Sequence, residues 1–197
     1  MTDEIVVRAP RVEDATAMGQ VHVAAWQVGY DGVLPSQLLD GLTVERTADS
    51  WTTGLTNPDG TSRSLVAERD GRILGISSVG PYRAVEDQPS PPDLSELWMI
   101  NVHPDAWGTG LAQALLAAGV ELLRTDYTEP RAALWVLEGN ARGRRFYEKE
   151  GWVWDGATKR DTFAPGGRGV PLLPRPLSQA PPRFGQPVTW KADGRTV

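Results

Sequence analysis

The stretch from residue 95 to residue 124 leaves this chain few folds to choose from. Residues 95–102 carry large side chains at odd and even positions alike, among them Leu97, Trp98, Met99, Ile100 and Val102. Such a run reads as a strand covered on both faces, hence a central one. Pro104 ends it, because proline supplies no donor to a ladder. Gly108 and Gly110 then mark a turn, and Leu111, Leu115, Ala118 and Leu122 recur at the spacing of one helical face over 111–124. The first amides of a helix have no partner within it and lie at the positive end of its dipole. Glycines at such a corner let the backbone close on a bulky anion with no Cβ in the way. A strand, a glycine turn and a helix in this order make a cradle for a diphosphate. They make an ordinary strand-to-helix corner as well, and two glycines alone do not choose between the two.

The rest of the chain places this corner. Residues 4–9 alternate, with Ile5 and Val7 on one side, and read as a first strand. Glu13 and Asp14 open a helix with acids in its first turn, and its stripe is Ala15, Met18, His22 and Ala25. Short helices are predicted over 36–42 and 43–51. Strands over 64–69 and 72–79 are joined by Asp70 and Gly71, a strong hairpin signal. A proline-rich loop covers 81–93, before the corner. After it come a strand over 131–137 and a helix capped by Asn140 that runs to Lys149. Gly151 stops that helix, and a strand or hairpin follows over 152–163. The glycine turn therefore follows the fourth strand. A dinucleotide fold places its turn after the first, and the three-glycine fingerprint is absent, as is any Gly-Lys-Ser/Thr phosphate loop. The order predicts an α/β domain with a mixed sheet and helices on both faces.

Composition removes several function classes. The 197 residues include no Cys and two His, which excludes disulfides, thiolate nucleophiles and cysteine-based zinc sites, and no metal is expected. A net charge of -5 argues against nucleic acid or an anionic membrane as partner. No apolar run reaches spanning length and no signal peptide is evident, so a cytoplasmic location is expected. Composition shifts near residue 164. Residues 164–197 hold 7 Pro and 5 Gly with one acid against five bases, a proportion typical of irregular chain. The expected organisation is a domain over 1–163 and a Pro/Gly-rich segment over 164–197, with an edge strand at most over 170–177, then a tail. The apolar residues between Leu172 and Leu177 offer a surface to a second copy, so a homodimer is one expectation.

Two motifs carry a resemblance to a known family. The first is Trp107, Gly110 and Ala112 after the fourth strand, which resembles the Gln/Arg-x-x-Gly-x-Gly/Ala turn of the GNAT superfamily of N-acetyltransferases, with Trp107 at the Gln/Arg position. The second is Asn140, Gly143, Tyr147, Lys149, Gly151 and Trp152, similar to the family's Asn-x-x-Ala-x-x-x-Tyr-x-Lys-x-Gly-Phe. The resemblance covers about residues 4–163. It implies the GNAT fold: a mostly antiparallel mixed sheet splayed between strands 4 and 5.

It also implies an activity, the transfer of acetyl from acetyl-CoA to a primary amine of a small molecule or a peptide, by direct attack. By that resemblance Ile100 and Val102 offer backbone groups to the pantetheine arm. Trp107, Gly108, Thr109, Gly110, Leu111 and Ala112 hold the pyrophosphate, and Asn140 contacts the cofactor arm. Tyr147 matches the general acid; a tyrosine hydroxyl is protonated at neutral pH. Glu96 is the expected base, provided that alternation along strand 4 carries it to the substrate side with Trp98 and Ile100. His22 and His103 are weaker candidates. Trp26 and Tyr30 are expected to line the acceptor pocket. Arg142, Arg144 and Arg145 crowd one helix near the cofactor end, either toward a phosphate or as a solvated face, and Glu86, Asp87 and Asp93 in the 81–93 loop would favour a cationic amine. The alternative function is a non-catalytic acyl-CoA-binding module of the same fold.

Overall fold

The hairpin signal, the central strand and the two helix caps all appear where the residues place them. The computed structural model describes residues 4–58, 60–83, 94–127, 131–158, 162–163, 170–171 and 176–180. The loop acids Glu86, Asp87 and Asp93 and the tail beyond 180 lie outside them. The order is β1 (Val6–Arg8), α1 (Ala15–Gly29), α2 (Ser36–Asp40), α3 (Val44–Thr56), β2 (Arg63–Arg69), β3 (Arg72–Pro81), β4 (Leu94–Val102), α4 (Leu111–Asp126), β5 (Arg131–Leu137), α5 (Ala141–Lys149), β6 (Val153–Thr158), β7 (Thr162–Phe163), β8 (Val170–Pro171) and β9 (Pro176–Ala180). Seven strands form one sheet in the order β1-β2-β3-β4-β5-β9-β6, and β7 pairs with β8 apart from it. Among the described residues only β4 and β5 run parallel, and the other pairings are antiparallel.

Helices cover both faces. Leu111, Leu115, Leu116 and Leu123 of α4 pack on Leu65, Val79, Leu97, Val102 and Leu134. On the other face Met18 and Val21 of α1, with Trp51 and Leu55 of α3, pack on Val66 and Ile76. Burial of such side chains contributes roughly 1.5–3 kcal/mol each. These two layers clamp β3 and β4, and β4 leads into the glycine corner.

The strand expected at a sheet edge over 170–177 takes a different place. Residues 170–171 pair with β7, and 176–180 lie inside the sheet between β5 and β6. The prolines permit this because Pro176 is the first residue of β9, where a missing N–H is tolerated, and the four residues after it all carry donors.

Two irregularities in β4 shape the centre of the molecule. Its parallel pairing with β5 ends at Leu97 and Leu134, after which no pairing joins the two strands. At the same point Ser78 pairs with Met99 and Val79 with Leu97, so Trp98 is an extra residue opposite β3. Such a bulge bends a strand and re-aims its side chains. Leu97, Ile100 and Val102 consequently all pack on the α4 side, whereas Met99 packs on the α1 side. Trp98 lies back across Gly80, where a Cβ would come within 2.4 Å of the indole, and its Nε1 donates to the Pro81 carbonyl at 3.0 Å.

Candidate active site

The parted ends of β4 and β5 open into a cavity of about 460 Å³. Its walls bring together Ile100 and Val102 of β4, Trp107, Gly108, Gly110 and Ala112 of the corner, Asn140 and Tyr147 of α5, and Trp26 and Tyr30 of α1. Residues far apart in sequence thus meet around one space. Thr109, Leu111 and Glu96 are not among its lining residues.

The corner is built to leave nitrogens unengaged. Gly108 and Gly110 have φ of +77° and +91°, a left-handed conformation that costs any residue with a Cβ roughly 1–2 kcal/mol. Nothing lies within 4 Å of where a Gly108 Cβ would sit. The Thr109 hydroxyl donates to the Ala106 carbonyl at 2.7 Å, and the Thr109 carbonyl accepts from Arg69 at 2.8 Å. Both contacts turn Thr109 out of the cavity and pin the turn. The first bond into α4 runs from the Ala114 amide to the Gly110 carbonyl at 3.0 Å. The amides of Leu111, Ala112 and Gln113 precede that ladder, and among the described residues none of them, nor those of Gly108 to Gly110, donates to another backbone group outside the helix. Leu111 is fully buried in the core through its side chain, so its amide is what it can offer.

Trp107 takes a place of its own. Its indole Nε1 donates to the Val102 carbonyl at 2.8 Å, which occupies one of the strand groups expected to stay open. The Arg142 guanidinium lies over the indole ring, 3.1 Å from its centroid. Burial lowers the Arg142 pKa, while Tyr30 opposes that shift. Arg142 is thus the one member of the arginine group on α5 that lines the cavity.

Asn140 works in two directions. Its Oδ1 accepts from the Gly143 amide at 2.8 Å and caps α5, and its side chain hydrogen-bonds Tyr30. A Cβ on Gly143 would stand 2.9 Å from the Asn140 amide nitrogen, so glycine at this point of the motif lets the cap close. Burial raises the Tyr30 hydroxyl above the usual phenol range, against the pull of Asn140 and Arg142. Burial raises Tyr147 further, with Tyr30 adding to it. Tyr147 packs edge-on against Phe146 and Trp152, which fixes its ring at the cavity wall, protonated at neutral pH.

Glu96 departs from its expected position. Alternation does not survive the bulge at Trp98, so Glu96, next to Leu97 on the chain, faces the side away from Ile100 and Val102. It is 0% exposed. Its carboxylate accepts from the Arg83 amide at 2.9 Å and from Arg83 Nε at 3.1 Å, with a further contact to the guanidinium. His103 accepts from the Asp105 amide at 3.3 Å and also stays off the cavity wall.

A second cavity, of about 830 Å³, opens on the α1–α3 face. It shares Trp26, Arg83, Trp98 and Met99 with the first. His22 lines it, stacked on Trp26 at 5.3 Å between ring centroids. Burial brings the His22 pKa down to about 4, and its Nδ1 is buried with no partner. Arg83, Trp98 and this second chamber were not singled out by motif reading; the only signal for them was a tryptophan in mid-strand.

Residues 35–152 match the sequence model of the acetyltransferase (GNAT) family. The chain belongs to that family. Among its relatives is an uncharacterized N-acetyltransferase of Bacillus subtilis, YuaI, 28% identical over 141 residues, which are 69% of this chain and 73% of that protein. The mycothiol acetyltransferase of Salinispora arenicola is 34% identical over 105 residues, 47% of this chain, and the match spans 34% of that enzyme's length. The fold is shared with a PaiA N-acetyltransferase of Thermoplasma acidophilum in complex with coenzyme A, at a TM-score of 0.68 and 15% identity over 90% of this chain and 98% of that one. It is shared also with YncA of Salmonella typhimurium, solved with acetyl-CoA, at a TM-score of 0.62 and 16% identity over 95% of this chain and 98% of that one. As a GNAT protein the chain is an acetyl-CoA-dependent acyltransferase, and among the described residues no helix is long and apolar enough to cross a membrane.

Proposed function

We propose that the protein transfers acetyl from acetyl-CoA to a primary amine by direct attack, with the reaction in the cavity between β4 and β5. One observation carries this reading: the glycine corner presents unengaged amides to the same cavity that Tyr147 walls at its other side. The amides of Gly108 to Gln113 hold the pyrophosphate, at the positive end of α4. Arg142, held on Trp107, adds a cation at the corner, where the tryptophan itself brings none. The unpaired edge of β4 near Ile100 receives the pantetheine arm, and Asn140 steadies it while capping α5.

In the chemical step the amine lone pair forms the new C–N bond at the thioester carbonyl, the C–S bond breaks, and the sulfur takes a proton. Tyr147 supplies that proton, since its raised pKa keeps it in the acid form throughout the working range. The ammonium first gives up its proton to solvent, and once the C–N bond has formed the nitrogen's surplus proton returns to the Tyr147 phenolate, which restores the phenol. Glu96 serves this reaction from a distance by holding Arg83 at the wall between the two cavities.

The test is a thermal melt with and without CoA, followed by an amine panel assayed for CoA release. CoA is expected to raise the Tm as any ligand of the folded form does, and Gly108→Val to abolish that shift. A Tm unmoved by CoA overturns the proposal.

A further inference from the structure

The second cavity carries a charge pattern at odds with the chain around it. The chain has a net charge of -5, yet among the described residues that line this cavity there are three arginines and no aspartate or glutamate. Arg63 is held by Asp126 at 3.1 Å and Arg83 by Glu96. Arg46 forms no ion pair among the described residues, so its charge is left over for whatever enters. It stands in the first turn of α3, where the helix dipole disfavours a cation. Glu45 shares that turn but does not line the cavity, so an anion arriving there meets the arginine. The same lining carries the apolar and aromatic surface of Trp51, Trp98 and Met99, together with the unpartnered Nδ1 of His22.

We propose that this cavity is the acceptor site and that the acceptor is a primary amine bearing an anionic group on an apolar body. The inference rests on the acetyl-transfer reading above. The body lies on the tryptophan surface, the anion meets Arg46 at the rim, and the amine reaches the first cavity past Trp26 and Trp98, which belong to both walls. A guanidinium takes a carboxylate or a phosphate in the same forked geometry, so the anionic chemistry is shared and the test separates its sources. A polyamine fits this rim badly, because like charges meet there.

The experiment compares matched acceptors at saturating acetyl-CoA, reading CoA release: L-phenylalanine against L-phenylalaninamide for a carboxylate, tyramine phosphate against tyramine for a phosphate, and spermidine as the cationic arm. The anionic member of one pair is expected to show a kcat/KM about tenfold or more above its neutral partner, and that pair names the anion. Arg46→Gln, an exposed substitution away from the first cavity, is expected to bring the ratio to within about threefold while the Tm shift with CoA persists. Neutral amines or spermidine turned over as well as the anionic members, or a ratio that survives Arg46→Gln, overturns the inference. So does a chain that CoA stabilises but that neither turns over nor binds, by calorimetry, any anionic member; the cofactor reading then stands. A chain that CoA does not stabilise loses the proposed function itself, and this inference with it.

Discussion

The Arg142 guanidinium rests on the Trp107 indole, 3.1 Å from the ring centroid, and so joins the first turn of α5 to the glycine corner before α4. The two residues come from opposite sides of the parted strands. The indole is itself held by its bond to the Val102 carbonyl, so the arginine has a fixed platform. A tryptophan at the family's Gln/Arg position thereby keeps a cation over the corner, though from another helix.

If that stack positions a phosphate-binding charge, Arg142→Ala should weaken CoA binding about tenfold. Trp107→Ala should do so as well, by releasing the arginine. The double variant should lose less than the sum of the two, with a coupling of about 1 kcal/mol. Calorimetric titration of CoA against the four proteins measures it, and strict additivity counts against the stack.

Gly108→Ala isolates the corner. The φ of +77° charges alanine about 1 kcal/mol of folded-state strain, while the space around the new methyl is empty of protein. The expected result is a small drop in Tm for the free protein and a much larger loss of CoA affinity, because the methyl enters the space meant for phosphate. Equal losses in both would show that the glycine serves folding alone.

These features differ in how far the residues betray them. The corner was legible because its chemistry is local: a proline stop, two glycines and a helical stripe within thirty residues. The α5 motif was legible for the same reason, from the Asn140 cap to the Gly151 stop. What could not be read was the bulge at Trp98. A bulge depends on the register of β3 against β4, and the residues of one strand say nothing of the other's phase. One extra residue turned Glu96 away from Ile100, and the alternation argument that set the two on one face went with it. The partnership of Arg142 and Trp107 joins residues brought together only by the sheet, as does the second cavity between α1 and α3. Prolines in 170–177 pointed to an edge, whereas the sheet admits β9 internally because a proline falls only on its first residue.

Tyr147→Phe and Glu96→Gln should separate a catalytic residue from a positioning one. Tyr147→Phe removes the proton donor and should lower kcat about 100-fold or more with little change in the KM for acetyl-CoA. Glu96→Gln removes a buried charge that faces Arg83, and should lower kcat less than about tenfold. Arg83→Ala, by contrast, strips a wholly buried carboxylate of its guanidinium but leaves the backbone donor, and should destabilise the fold by about 2 kcal/mol. Steady-state kinetics with urea unfolding resolve the three. A Glu96→Gln variant as inactive as Tyr147→Phe, and normal in stability, would restore Glu96 as the base.

His22 makes the fold sensitive to acid in a defined window. Its folded pKa is about 4, and burial is the cause, against about 6.5 in an unfolded chain. Above pH 6.5 both states carry a neutral ring and His22 adds no pH dependence. As the pH falls from 6.5 to 4 the unfolded chain takes up the proton and the folded one does not, so stability is lost, on the order of 3 kcal/mol by the end of the window. His22→Phe keeps an aromatic ring against Trp26 and has nothing to protonate. Urea midpoints at pH 7, 6 and 5 should therefore diverge, the variant holding its stability as the wild type declines. Parallel declines would place the acid sensitivity in other groups and the His22 ring in contact with solvent.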